Sequence, residues 1–244
     1  MRRVCAAVPF AAAFVACWLG AAAGPGWAAD DDESRAILFS GRDLWSNGAF
    51  AYGGLLLAPG GFEQDGLLLK LLLSAGVYRY DAGGPGGVRV IGLEATAQVL
   101  PGWRIKRGDV EAKFFFGPDY EEHRLWPDDP GNNLRGRALG LRMAIDLWYE
   151  PTANTMATLD ATISTIATNN SARAAVGWRV IDDQFYFGPE IAFSSSDGYR
   201  YRRLGFHLTS MKTEIYEWSA GGGWARDSDG RSSAYVRLGV MQRL

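Results

Sequence analysis

Residues 90–118 read VIGLEATAQVLPGWRIKRGDVEAKFFFGP. From Ile91 to Val99 every second residue is apolar, and the residues between them are Gly92, Glu94, Thr96 and Gln98. This alternation is typical of a β-strand that has one apolar and one polar face. After a turn rich in proline and glycine at 101–108, residues 110–116 repeat the pattern. The stretch is therefore predicted to form a β-hairpin.

The open question is which face of this hairpin lies inside. In a soluble sheet the apolar face packs in a core, whereas in an outer-membrane barrel it contacts lipid and the polar face lines the interior. Residues 67–73 favour the barrel, because Lys70 lies there among six leucines. A helix crossing lipid could not tolerate such a lysine, but a strand can point it inward.

The same alternation recurs along the rest of the chain. It is clear in residues 67–80, 139–149, 157–163, 172–180, 185–193, 204–208, 216–224 and 236–240, and weaker in 37–45 and 49–58. Many short strands joined by turns indicate an all-β protein. We predict an antiparallel up-and-down transmembrane β-barrel of about 12 strands (10–12).

The N-terminus has the pattern of a secretory signal peptide. Arg2 and Arg3 precede an apolar run, and Gly26-Trp27-Ala28 provides a cleavage site after residue 28. A retained membrane anchor is the alternative, but the run is broken by Gly24-Pro25. We predict a signal peptide at 1–28, a short polar segment at 29–36 and the barrel at 37–244. Both cysteines lie in the leader, which excludes disulfides and cysteine-bound metals in the mature chain.

Loop lengths and aromatic residues orient the predicted barrel. If the first strand rises from the periplasm, the longest loop, 119–133, falls outside together with 81–87 and 226–232. The turns at 59–65, 101–108, 150–154, 181–183 and 210–213 then face the periplasm, as expected for outer-membrane barrels. Aromatic residues are expected near both membrane interfaces, with Phe114 and Phe116 at the outer one. A soluble sandwich with these aromatics in its core remains the alternative.

The polar faces predict a charged interior of mixed sign. The predicted inward residues are Lys70, Glu94, Asp109, Glu111, Lys113, Arg142, Asp146, Asp160, Arg173, Arg179, Glu190, Arg203, Glu217 and Arg237. Mutual pairing is one role for them, since unpaired charges away from water are costly. A polar conduit or a saccharide-binding lumen is the other. The net charge of −2 gives no reason to expect a nucleic-acid partner.

The sequence offers little for catalysis. His207 and Thr209 share the inward face, and inward Ser164, Ser219, Asp160 and Glu217 keep a barrel-borne hydrolase open as an alternative. His123 is expected in the long outer loop. Residues 227–230, DSDG, resemble part of a calcium loop but lack the remaining ligands, so they predict a turn. We expect no enzyme activity, no cofactor and no metal site.

Several strings of the chain resemble one family, the cellulose biosynthesis protein BcsS. They are FSGRDLW at 39–45, PGWRI at 101–105, FFGP at 115–118 and GWARDSDGR at 223–231, and the likeness extends over residues 37–240. The resemblance implies an accessory protein of cellulose production in the outer membrane of a Gram-negative bacterium. It brings no catalytic residues. The implied partners are outer-membrane lipid, cellulose or another glucan, and other components of the cellulose synthase complex.

The resulting functional hypothesis is a non-enzymatic outer-membrane barrel that assists cellulose synthesis or export as a conduit, docking site or glucan-contacting element. Side chains around the openings that can stack on or hydrogen-bond a sugar are the candidates for glucan contact. They are Tyr120, Trp126, Tyr199 and Tyr201 outside, and Arg142, Arg173 and Arg203 inside. Besides the hydrolase, a soluble periplasmic β-barrel binding protein is an alternative.

Overall fold

The computed structural model describes residues 34–83, 86–181, 184–197 and 199–244. They form twelve strands in one closed antiparallel barrel, in which each strand pairs with its neighbours in sequence and β1 pairs with β12. The strands are β1 Ala36–Trp45, β2 Gly48–Leu57, β3 Gly66–Ala82, β4 Val88–Arg107, β5 Val110–Trp126, β6 Gly136–Thr152, β7 Thr155–Ser164, β8 Asn170–Val180, β9 Phe185–Ser196, β10 Tyr199–Thr213, β11 Tyr216–Asp227 and β12 Ser232–Arg243. The predicted antiparallel up-and-down barrel of about twelve strands is confirmed. The predicted signal peptide lies outside the described residues.

The outer wall of the barrel carries the apolar face of the strands. Leu67 and Leu73 are 63% and 38% exposed, whereas Leu68, on the opposite face of β3, is buried. Exposed apolar side chains recur around the whole wall, among them Val99, Met143, Ile191, Phe206 and Leu238. A soluble sandwich would bury these residues, so that alternative is wrong. Within the described residues, no helix has the length and apolar character to cross a membrane.

The barrel has two different rims. At one, which we call the terminal rim, the start of β1 and the end of β12 lie side by side, and Ser34 Oγ donates to Leu244 O at 3.0 Å. The turns between β4 and β5, β6 and β7, and β10 and β11 lie on this side. The other, the loop rim, carries the connection 127–135 between β5 and β6. The predicted alternation of connections between the two rims is confirmed, although several boundaries differ.

Strands β4 and β5 are longer than predicted. The predicted turn at 101–108 belongs to β4 up to Arg107, and only Gly108 and Asp109 form the turn. The β4–β5 ladder has no pairs between Gln98–Asp119 and Gly102–Phe115, where Pro101 and Pro118 have no N–H to donate, yet the register is the same on both sides. Proline thus interrupts the ladder without ending the strand.

The predicted long loop at 119–133 is also mostly strand. β5 continues to Trp126. The prediction missed this part of the strand because both faces of residues 119–125 are mostly polar, so no apolar alternation reveals it. Phe114 and Phe116 therefore lie in the half of β5 nearer the terminal rim, not at the outer rim as predicted. Residues 210–213 likewise belong to β10, after a bulge between Leu208 and Met211.

The terminal half of the barrel interior contains a cluster of buried apolar side chains. We call this cluster the plug: Ile37, Leu56, Ala58, Phe62, Leu68, Leu100, Phe115 and Ala144. Phe62 comes from the connection 58–65, which folds into the barrel from the terminal rim. On the other side of the interior, Met156, Tyr186 and His207 are 1–2% exposed.

The connection that supplies Phe62 is tied to the end of β4. The Asp65 carboxylate accepts hydrogen bonds from Lys106 N at 2.8 Å and from Arg107 at 2.6 Å. These bonds hold the pKa of Asp65 below its ordinary value. Lys106 Nζ also pairs with Glu63 at 2.8 Å. The connection is therefore bound to the end of β4 through Glu63 and Asp65, the two charged residues that follow Phe62.

Candidate functional site

Above the plug, the interior opens toward the loop rim as a cavity of about 800 Å³, which we call the vestibule. Its size is in the range of small-molecule sites. Its lining consists of the inward-facing side chains of the strands, so each wall is formed by the polar faces of a few neighbouring strands. Two walls and a floor differ in chemistry.

One wall of the vestibule is aromatic. Trp45 of β1 lies 5.4 Å from Phe50 of β2 and 5.3 Å from Tyr201 of β10, between ring centroids. Tyr199 packs against the same cluster. Tyr78 and Tyr80 of β3 form a second stacked pair with centroids 6.2 Å apart. Flat apolar faces with polar edges are therefore presented to the cavity.

The facing wall is made of hydroxyl and amide groups from β7, β8 and β9. These strands end near the loop rim in small polar residues, including the serine run 194–196. The uncharged polar residues that line this wall include Thr162, Ser171, Ser194 and Ser196 of the strands and Asn169 of the connection between β7 and β8. Such groups donate and accept hydrogen bonds without carrying charge.

The floor of the vestibule is a network centred on Glu190. Its carboxylate accepts from Arg173 Nε at 2.9 Å, from Arg237 at 2.7 Å and from the Tyr235 hydroxyl at 2.8 Å. Arg173 also contacts Asp160 at 3.1 Å. Glu190 is 3% exposed, so its charge is balanced within the protein by the two guanidinium groups.

A second ion pair joins the floor to the aromatic wall. Arg203 donates to Asp43 Oδ2 at 2.5 Å, and its guanidinium carbon lies 4.7–5.3 Å from the ring centroids of Trp45, Tyr201 and Tyr235. Two buried polar atoms at this place, Asp43 Oδ1 and Trp45 Nε1, have no hydrogen-bond partner within the described residues, which is unusual for buried polar groups.

Loops narrow the mouth of the vestibule. In the connection 127–135, the Asp129 carboxylate accepts a hydrogen bond from the Tyr80 hydroxyl at 2.7 Å, and the Asn132 amide donates a hydrogen bond to the same hydroxyl at 2.8 Å. Asn133 of the same connection donates to Asp197, between β9 and β10, at 3.2 Å. The connection therefore reaches over the opening between strands that are not neighbours.

The candidate glucan-contacting residues fall in three places. Tyr199, Tyr201, Arg173 and Arg203 line the vestibule. Arg142 is buried apart from it and pairs with Asp119 at 2.9 Å and Glu121 at 3.1 Å. Tyr120 and Trp126 lie on the outer wall, where the Tyr120 hydroxyl donates to Glu122 at 3.0 Å. The prediction did not include Trp45, Tyr78 or Tyr80, although their inward parity was a usable signal.

Mutual pairing of the predicted inward charges is largely confirmed. Lys70 Nζ contacts Asp146 at 2.9 Å, and Lys113 pairs with Glu111. Asp109 differs from the prediction: it lies exposed in the β4–β5 turn, because β4 extends to Arg107 and only two residues remain for the turn.

The two histidines are bound to neighbouring groups inside the barrel. His207 is 1% exposed, with Nε2 at 3.1 Å from Val176 O and Nδ1 at 2.8 Å from Thr209 Oγ1. His123, predicted in a loop, lies in β5 with Nδ1 at 3.0 Å from the Tyr78 hydroxyl. Among the described residues, no three metal-binding side chains are grouped to hold an ion. The turn predicted at 227–230 is confirmed, with Asp227 bonded to Arg231 N.

Comparison with known proteins gives one family and several barrels. The family model for cellulose biosynthesis protein BcsS matches residues 37–244. No curated protein matches the chain. The structure is similar to LpxR from Salmonella typhimurium, at 9% identity over 86% of this chain and 100% of that chain, with a TM-score of 0.48. It is also similar to the β domain of the Bordetella autotransporter BrkA, at 11% identity over 86% of this chain and 99% of that chain, with a TM-score of 0.47. A KdgM porin is similar at 10% identity over 85% of this chain and 99% of that chain, with a TM-score of 0.45.

Proposed function

The chain belongs to the cellulose biosynthesis protein BcsS family, and from this premise we propose that it is a non-enzymatic outer-membrane barrel that binds glucan in its vestibule. The single observation that carries the proposal is the vestibule itself, with aromatic rings on one wall and hydroxyl and amide groups on the other. A sugar ring has apolar faces and hydroxyl edges, so the two walls complement both parts of it. In the cell this would support the assembly that makes or exports cellulose.

The outer wall supports the membrane location. A continuous band of exposed leucine, valine, isoleucine and aromatic side chains would be very unfavourable in water, and lipid removes that cost. In such barrels the short turns lie at the periplasm and the longer loops outside. The terminal rim would then face the periplasm, and the vestibule would open to the cell exterior.

This location is tested by fractionating cells that express the whole chain. The protein is expected in the outer-membrane fraction, with a gel mobility that changes on heating because the barrel resists detergent until heated. Recovery from the soluble periplasm would contradict the membrane location and would favour a soluble binding barrel.

The plug favours docking or glucan contact over a conduit. The conduit would need a path past Leu68, Leu100 and Phe115, which are 1–4% exposed and in contact with one another inside the barrel. A cavity closed at its terminal end can hold the end or a short stretch of a glucan chain, but transport of the polymer would fall to another component.

The surroundings of His207 argue against a hydrolase. A histidine base requires an accessible nucleophile and an orienting group. The Nε2 atom of His207 donates to the Val176 carbonyl, and Thr209 then donates to Nδ1, so both ring nitrogens are occupied. His207 does not line the vestibule, and no carboxylate is hydrogen-bonded to it among the described residues. We therefore assign it a structural role.

Glucan binding is tested by a pair of tyrosine variants. Tyr199→Ala is expected to weaken binding of a soluble cello-oligosaccharide about tenfold, because truncating an aromatic contact costs at least about 1 kcal/mol and tenfold is about 1.4 kcal/mol. Tyr120→Ala is the control, since Tyr120 is also bonded to a carboxylate but lies on the outer wall. Calorimetric titration of the purified barrels would measure both. Equal affinities for the two variants would contradict binding in the vestibule.

A further inference from the structure

Three arginines form a cluster on the outer wall at the loop rim. Arg200 and Arg202 of β10 alternate with the inward Tyr199 and Tyr201, so their side chains project outward, and both are exposed. Arg226 of β11 is exposed as well and lies directly opposite Arg202 in the β10–β11 ladder. Like charges at directly opposed positions repel each other and destabilise the sheet. An anion bound between these arginines would remove that repulsion.

This cluster differs from the other exposed arginines of the same rim. Arg89 has Asp81 at 3.0 Å, Arg124 has Glu122 at 2.8 Å, and Arg137 has the same Glu122 at 3.4 Å. Across the described part of the chain, no carboxylate is paired with Arg200, Arg202 or Arg226. On the outer face, the neighbours of the cluster are Phe193 and Ser195 on β9 and Ser232 on β12.

The depth of the cluster identifies the kind of anion. The next outward row toward the terminal rim is Leu204 opposite Trp224 and Ile191, and all three are exposed and apolar. Two residues along a strand correspond to about 7 Å. The guanidinium groups thus stand just above the apolar band, at the level where the headgroups of the membrane lipids would begin.

We propose that Arg200, Arg202 and Arg226 bind the phosphate groups of an anionic glycolipid in the outer leaflet of the membrane. Guanidinium groups form bidentate hydrogen bonds with phosphate, and these are stronger when the surroundings exclude water. The acyl chains of the same lipid would lie against Leu204, Trp224 and Ile191. The site fixes one lipid on the outer face of β10 and β11. Tyr199 and Tyr201 lie on the inner face of the same part of β10. This inference rests on the membrane location proposed above.

The test compares two triple variants of the full chain. Arg200→Gln/Arg202→Gln/Arg226→Gln removes the cluster, and Arg89→Gln/Arg124→Gln/Arg137→Gln removes three arginines that already have carboxylate partners. Both are purified from membranes in detergent, and retained phosphorylated glycolipid is measured by mass spectrometry. The first variant is expected to retain about tenfold less lipid than the wild type, and the second to change retention by less than about twofold. Heat-modifiable mobility of both variants confirms that they are folded.

A second measurement separates the lipid from other anions. Native mass spectrometry is expected to show binding of purified lipopolysaccharide lipid A, loss of that binding after enzymatic removal of its phosphates, and no displacement by excess inorganic phosphate. Displacement by inorganic phosphate would mean a general anion site and would overturn the lipid assignment. Equal retention by the two triple variants would overturn it too, while leaving the membrane location intact; a soluble wild type would refute the location itself.

Discussion

Replacing Glu190 with glutamine is expected to lower the free energy of unfolding by about 3–5 kcal/mol. The carboxylate binds Arg173, Arg237 and Tyr235 and is 3% exposed. Glutamine keeps the shape but leaves two partly buried guanidinium groups without their counter-charge. Because Arg237 lies on β12, the effect should reach a strand that does not pair with β9. Urea unfolding of the barrel in lipid vesicles measures the change.

Asp160→Asn is the matched control for this prediction. Asp160 pairs with the same Arg173 at 3.1 Å, but its side chain is 45% exposed, so solvent screens the pair. Its loss is expected to cost no more than about 1 kcal/mol. Similar destabilisation by the two variants would show that Glu190 does not balance the charges of the floor.

Replacing Phe115 with alanine is expected to cost about 3–5 kcal/mol of stability and to make the barrel permeable to small solutes. Phe115 is 3% exposed, packs in the plug and lies under the Lys70 ammonium group at 4.6 Å. Its removal leaves a cavity in the plug, which lies between the vestibule and the terminal rim. The wild type should show no solute flux in a liposome-swelling assay, and the variant should show a measurable flux.

Phe116→Ala controls for a general effect of losing a ring from β5. Phe116 follows Phe115 directly but is 52% exposed on the outer wall, so no interior cavity results. It should leave the vesicles tight. Solute flux through the wild-type barrel would contradict the plug and would restore the conduit hypothesis.

Much of the architecture could be predicted from the local pattern. The alternation at 90–99 and 110–116 identified both arms of a hairpin, and the same rule placed Lys70, Glu190 and Arg203 inside. Prediction failed where both faces of a strand are polar, as at residues 119–125, because the period of two then has no apolar half to reveal it. Tyr120 has the parity of Phe114 and Phe116, so its place on the outer wall could have been inferred.

The amino-acid pattern was sufficient to predict an antiparallel barrel of about twelve strands and the face of most side chains within the strands, since these follow from a local period of two along the backbone. Which inward side chains meet could be seen only in the folded barrel. The register and curvature of β9 to β12 bring Arg237 to Glu190, and the fold of the connection 58–65 brings Phe62 into one cluster with Phe115. Contacts across a barrel depend on register and curvature summed over many strands, and no local pattern encodes that sum. The vestibule and its plug therefore became visible only in the closed barrel.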